Sequence, residues 1–186
     1  MPIGSPGTSP ITLEEVELLK KTLRFDGGDE KWLRESGAIL ATRTEELLDR
    51  WYAFTATLPH LSAYSLDADG NPHVAYRAAA RQRFASWIRD TTARPFDQAW
   101  LDYQHEIGLR HHRTKKNRTD GVDSAPHIPL RYILAQAYTF PLAIKEFLAE
   151  QALPAETVTL MHAAWQKAVL LQVILWSYPY VNEGDF

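Results

Sequence analysis

Apolar residues recur along this chain every three or four positions and almost nowhere alternate, which predicts helices throughout. Thr12 forms a capping box with Glu15, and Leu13, Val16, Leu19 and Leu23 follow at helical spacing, so a short first helix is expected. Beyond the break "DGGDE", Asp29 is the expected cap of one long helix. Its apolar positions, from Trp32 and Leu33 through Leu47, Leu48 and Trp51 to Phe54, keep the helical period until Pro59. The cluster "SLDADGNPH" reads as a turn. Asn71 then caps, and Pro72 opens, a helix carrying Val74, Ala78, Phe84, Trp87 and Ile88. Pro95 opens the next in the same manner, with Phe96, Trp100, Gln104, Ile107 and His111 on one stripe and Leu101, His105, Gly108 and His112 on the adjoining one. A polar connector over 113–124 leads to a helix from Pro129 to Glu150, with a kink expected at Pro141. Pro154 opens the last helix, whose second half is apolar nearly all round, as for a helix at the centre of a core.

The pattern gives an all-α fold of about seven unequal helices, without internal repeat or heptad regularity, closer to a globin-like assembly than to a symmetric bundle. Composition then sharpens this. The 186 residues suit one domain, with the Gly-, Pro- and Ser-rich residues 1–10 as a flexible lead-in and 11–186 as the folded unit. A net charge of −3 and a pI near 6.2 argue against a chain that coats nucleic acid or an anionic membrane through its overall field. The absence of cysteine excludes disulfides, iron–sulfur clusters, thiolate zinc sites and covalent haem attachment. No apolar run approaches the roughly 20 residues of a membrane span and the start of the chain lacks a signal-peptide pattern, so a cytoplasmic protein is expected.

The stretch "YQHEIGLRHHRTKKN" holds three of the seven histidines. It is not a zinc-protease helix, because the position four after His105 is Leu109. A single proximal histidine beside an aromatic-lined slot is a common way to hold haem iron. His111 shares a stripe with Trp100 and Ile107, and Gly108 one turn earlier removes a side chain where a flat macrocycle could approach. Spacing leaves His112 open as well, and a capping role at the helix C-terminus competes for both. His60, His73, His127 and His162 have no partners at ligand spacing. Arg110, Arg113, Lys115, Lys116 and Arg118 admit three readings: a solvated loop, a phosphate-binding patch, or an anchor for the two carboxylates of haem. Trp51, Tyr52 and "RFASW" read as core aromatics, and no strand-borne nucleophile elbow is present.

The segment "WLDYQHEIGLRHHRTKKNRTDG" resembles the proximal helix and following loop of the protoglobins, and "LDRWYAF", "RQRFASWIRDT" and "LQVILWSYPYVNEGDF" resemble the same family at consistent spacing, from about residue 10 to the C-terminus. The resemblance implies a globin-like helical sandwich with an additional N-terminal helix and a buried, non-covalent haem b. It also implies homodimers, as in several members, and binding of dioxygen, carbon monoxide and nitric oxide; the charge balance above leaves neither nucleic acid nor membrane as an expected partner. It assigns His111 as the metal ligand, Tyr52 as the distal tyrosine with Trp51 beside it, Phe84 as the distal phenylalanine, and Arg83 and Tyr103 as residues near the propionates. In "LAQAYTF", Gln136 stands where the family tends to have phenylalanine, a departure from an apolar pocket. A gas-binding or sensing protein is therefore expected. The alternative is a haem enzyme acting on peroxide, nitrite or nitric oxide, or a scaffold for carbene transfer. No output segment follows Phe186, so any sensing output is expected to need a separate partner.

Overall fold

The computed structural model describes residues 7–182 and 184–186. Among them are eight α-helices: α1 (Leu13–Thr22), α2 (Gly27–Leu40), α3 (Thr44–Ala56), α4 (Pro59–Ser62), α5 (Val74–Ala93), α6 (Gln98–His111), α7 (Leu130–Ala149) and α8 (Ala155–Ser177). There is no strand among the described residues, only an isolated bridge between Leu66 and Pro72. The Thr12–Glu15 capping box is present as the sequence predicts.

Four helix starts and one long helix differ from expectation, each for a local reason. Asp26, not Asp29, caps α2: its carboxylate accepts from the Gly28 and Asp29 backbone N–H groups, while Asp29 returns a bond to the Asp26 N–H and pairs with Lys167 at 2.8 Å. The single helix expected up to Pro59 is broken between α2 and α3. There the Leu40 carbonyl accepts from the Thr44 hydroxyl (2.8 Å) and the Arg43 N–H (2.9 Å), so side chain and tight turn replace the helical bond. Pro59 begins α4 rather than merely ending its predecessor. His73 caps α5 by accepting from the Tyr76 N–H, because Pro72 is held in the bridge to Leu66. Asp97, not Pro95, starts α6 by accepting from the Trp100 N–H at 2.8 Å. The lead-in lies outside the described residues as far as Pro6; by Ser9 the chain is docked on α6, its N–H donating to Asp102 at 2.8 Å.

α8 lies at the centre, packed against α7, α2 and α6, while α5 packs on α2 and α3. Helix α8 is long and apolar enough by composition to cross a membrane, contrary to the expectation that no such run exists, yet 56% of its most apolar stretch is buried inside the fold. The main core gathers Trp51, Trp87, Phe140, Trp165 and Trp176; a second cluster seats α1 through Ile11 and Val16 against Trp100, Leu101, Leu171 and Leu175. Three buried indole N–H groups find side-chain acceptors: Trp165 on Ser36, Trp87 on Gln172 and Trp176 on Gln104, at 2.6–2.8 Å. Gly108 has a different purpose from the one its spacing suggested. A Cβ there would stand 2.9 Å from the Trp176 carbonyl oxygen, so the glycine lets α6 cross α8 at backbone contact.

Candidate functional site

A cavity of about 310 Å³ opens among α3, α5, α6, α7 and α8. All seven candidate residues line it: Trp51 and Tyr52 from α3, Arg83 and Phe84 from α5, Tyr103 and His111 from α6, and Gln136 from α7. The wall is mainly aromatic and aliphatic. Trp51, Phe84, Trp87 and Phe140 meet edge-on or tilted at centroid distances of 4.9–6.4 Å, fixing one another's orientation.

Among the described residues His111 is the only histidine on this wall, and no carboxylate or thioether joins it. Its Nδ1 lies 2.8 Å from the Ile107 carbonyl oxygen; a carbonyl can only accept, so Nδ1 carries the proton and Nε2 keeps its lone pair. The ring stacks on Trp176 at 5.5 Å and 11°. Burial pushes its pKa below the ordinary histidine value against the hydrogen bond to Ile107, so the imidazole is neutral near pH 7. Fixed tautomer, fixed plane and neutral charge are the requirements for a metal ligand. His112, one residue on, is turned away: Nδ1 lies 2.7 Å from the Thr114 hydroxyl and the ring abuts Tyr180. The other histidines lie elsewhere, and no cluster of three metal-ligating groups exists among the described residues. One imidazole in an apolar slot suits an ion that brings its other ligands with it, as haem iron does, and does not suit a bare tetrahedral ion.

The polar groups on the wall are few. The Tyr52 hydroxyl has no protein hydrogen bond among the described residues; its ring packs edge-on to Phe84, and burial raises its pKa, so it remains a donor. The Gln136 amide is likewise without a protein partner although it lines the cavity near Phe140. Arg83 meets Asp120 through both terminal nitrogens at 2.8 and 2.7 Å, which ties α5 to the connector after α6. Tyr103 is half-buried with the Arg94 guanidinium 5.7 Å from its ring.

The basic run dissolves into separate roles. Arg110 and Lys115 share Glu106, and Lys116 is 2% exposed, donating to the Tyr64 carbonyl and to Asn117, so neither a solvated loop nor a continuous phosphate-binding surface describes it. Arg113 and Arg118 alone are exposed. Sequence reasoning missed Trp176, Arg77, Tyr64 and Tyr76 on the cavity wall. For Arg77 a signal existed: Arg77, Ala80, Phe84 and Trp87 form one helical stripe. A model of the protoglobin family matches residues 12–186. A search of curated proteins returns no match.

Proposed function

Because the chain belongs to the protoglobin family, globin-type haem proteins that bind gases, we propose that its cavity holds haem b non-covalently, with Nε2 of His111 as the only protein atom on the iron. Haem supplies an open coordination position for dioxygen, carbon monoxide or nitric oxide. The chain's own residues supply the rest. His111 is held neutral and oriented by the Ile107 carbonyl and by Trp176. Trp51, Phe84 and Phe140 exclude water, which slows oxidation. Tyr52 is the donor toward a polar gas ligand, a charge-assisted contact of about 1.5–3 kcal/mol. Gln136 adds a second polar group, giving a wetter pocket than a phenylalanine would. Arg83 and Tyr103 border the carboxylate edge.

The observation that carries this reading is the lone histidine whose Nδ1 is committed to a backbone carbonyl inside an aromatic cavity. Absorption spectra of the purified protein, ferric, ferrous and with carbon monoxide, test it. A Soret band that shifts on reduction and again with carbon monoxide is expected; no Soret band after haem addition would refute it. With the same reading go a cytoplasmic location, a homodimer, and no nucleic-acid or membrane partner. Exposed Leu134 and Tyr138 on one face of α7 and Leu170 on the neighbouring α8 support the dimer.

A further inference from the structure

Among the described residues three arginines line the cavity, Arg77, Arg83 and Arg110, and no carboxylate lines it with them. Two are compensated from behind the wall: Arg83 by Asp120 at 2.7 Å and Arg110 by Glu106 at 2.9 Å. Arg77 has neither an ion pair nor a side-chain hydrogen bond among the described residues, although its neighbour Arg81 is paired with both Glu45 and Asp49. The cavity therefore carries one uncompensated positive charge, and its place is defined. On α5 the stripe Arg77, Ala80, Phe84, Trp87 passes from an exposed residue to one only 6% exposed, so Arg77 stands at the mouth, about 15 Å along the helix axis from the buried end. Tyr64 and Tyr76 flank that mouth.

A cavity with an apolar interior and one free cation at its rim matches a flat apolar group bearing negative charge on one edge. We propose that Arg77 is the counter-ion for a carboxylate of the bound cofactor, a role that rests on the haem reading above. Arg83, whose two terminal nitrogens already hold Asp120, is by contrast part of the wall. A guanidinium at the rim is free to form a charge-assisted, two-point contact with a carboxylate and, being exposed, is screened by salt.

The test compares the holoprotein loaded with ordinary haem and with haem dimethyl ester, which keeps the macrocycle and loses both charges. Release to an excess of a haem-scavenging apoprotein is followed by absorption. Arg77→Gln should speed release of ordinary haem roughly fivefold at low salt, the scale of a partly exposed ion pair, and leave the ester's release unchanged. Arg77→Lys should recover most of the difference, and Arg113→Gln, at an exposed arginine outside the cavity, should have no effect. Equal acceleration for both cofactors, or none, overturns the assignment. So does unchanged haem release with weakened azide or cyanide binding, which would place Arg77 in the service of anions on the iron. Wild-type protein that retains neither cofactor would sink the haem reading itself, an outcome visible before any variant is made.

Discussion

The Tyr52 hydroxyl and the Gln136 amide line the cavity with no protein hydrogen bond among the described residues, and both side chains are half-buried, so each is free to donate to a bound ligand or to water. Tyr52→Phe removes one such donor without changing ring packing on Phe84. The dioxygen dissociation rate should rise roughly tenfold, the equivalent of about 1.4 kcal/mol, while carbon monoxide dissociation changes far less. Equal effects on both gases would show that the ring acts by bulk alone. Lys116 makes a different argument at this scale. Burial pushes its ammonium pKa down to about 8 from 10.5 while it holds the Tyr64 carbonyl, one wall of the cavity. The folded state thus disfavours the charged form, and between these two values the unfolded chain binds more protons at this side chain, so the contribution of Lys116 to stability rises as pH climbs from about 8 toward 10.5. Chemical denaturation at pH 7.5 and at pH 9.5 should show this gain in the wild type and not in Lys116→Met; the upper limit keeps clear of tyrosines whose own burial reverses the trend. An identical pH response in the two proteins would mean that Lys116 titrates normally.

At the scale of the helices, the hydrophobic period located the long apolar stretches, and the errors lie at helix ends and at the break that divides one expected helix into α2 and α3. Asp26 and Asp29 both satisfy a cap rule, and only packing, through the ion pair of Asp29 with Lys167, decides between them. The break after Leu40 leaves no mark on the apolar period, because Leu33 and Leu40 before it and Leu47 and Leu48 after it face the same core. At the break the Leu40 carbonyl takes the Thr44 hydroxyl and the Arg43 N–H, a local turn that the apolar period does not register. Gly108 shows the opposite case, a visible signal with a misread cause. Its missing side chain serves the α6–α8 crossing, so Gly108→Ala should lower stability by about 1–3 kcal/mol through overpacking against the backbone of Trp176. Denaturant midpoints measure this, and a loss below half a kcal/mol would show that the two helices part easily. Because Trp176 stacks on His111, the same variant should also disturb the His111 ring, whereas Gly37→Ala, whose clash is with the Thr92 side chain, should not.

For the molecule as a whole, periodicity revealed an all-helical domain but could not bring α3, α5, α6 and α7 around one cavity. That gathering depends on tertiary packing, and it was legible only through resemblance to the family that residues 12–186 match. Trp176 escaped notice for this reason: it lies 65 positions from His111 and meets it only because α8 threads the centre. The exposed apolar groups of α7 bear on assembly: light scattering should report a dimer for the wild type and a monomer for Tyr138→Glu, and a wild-type monomer at all concentrations would end that proposal. The central claim is that His111, and no other side chain, holds the cofactor's iron, and the adjacent histidine provides its control. Spectra of His111→Ala and His112→Ala, with and without added imidazole, decide it. The account predicts that His111→Ala loses haem or regains a normal spectrum only when imidazole is supplied, with His112→Ala unchanged; a normal spectrum in His111→Ala, or its loss in His112→Ala, would contradict it.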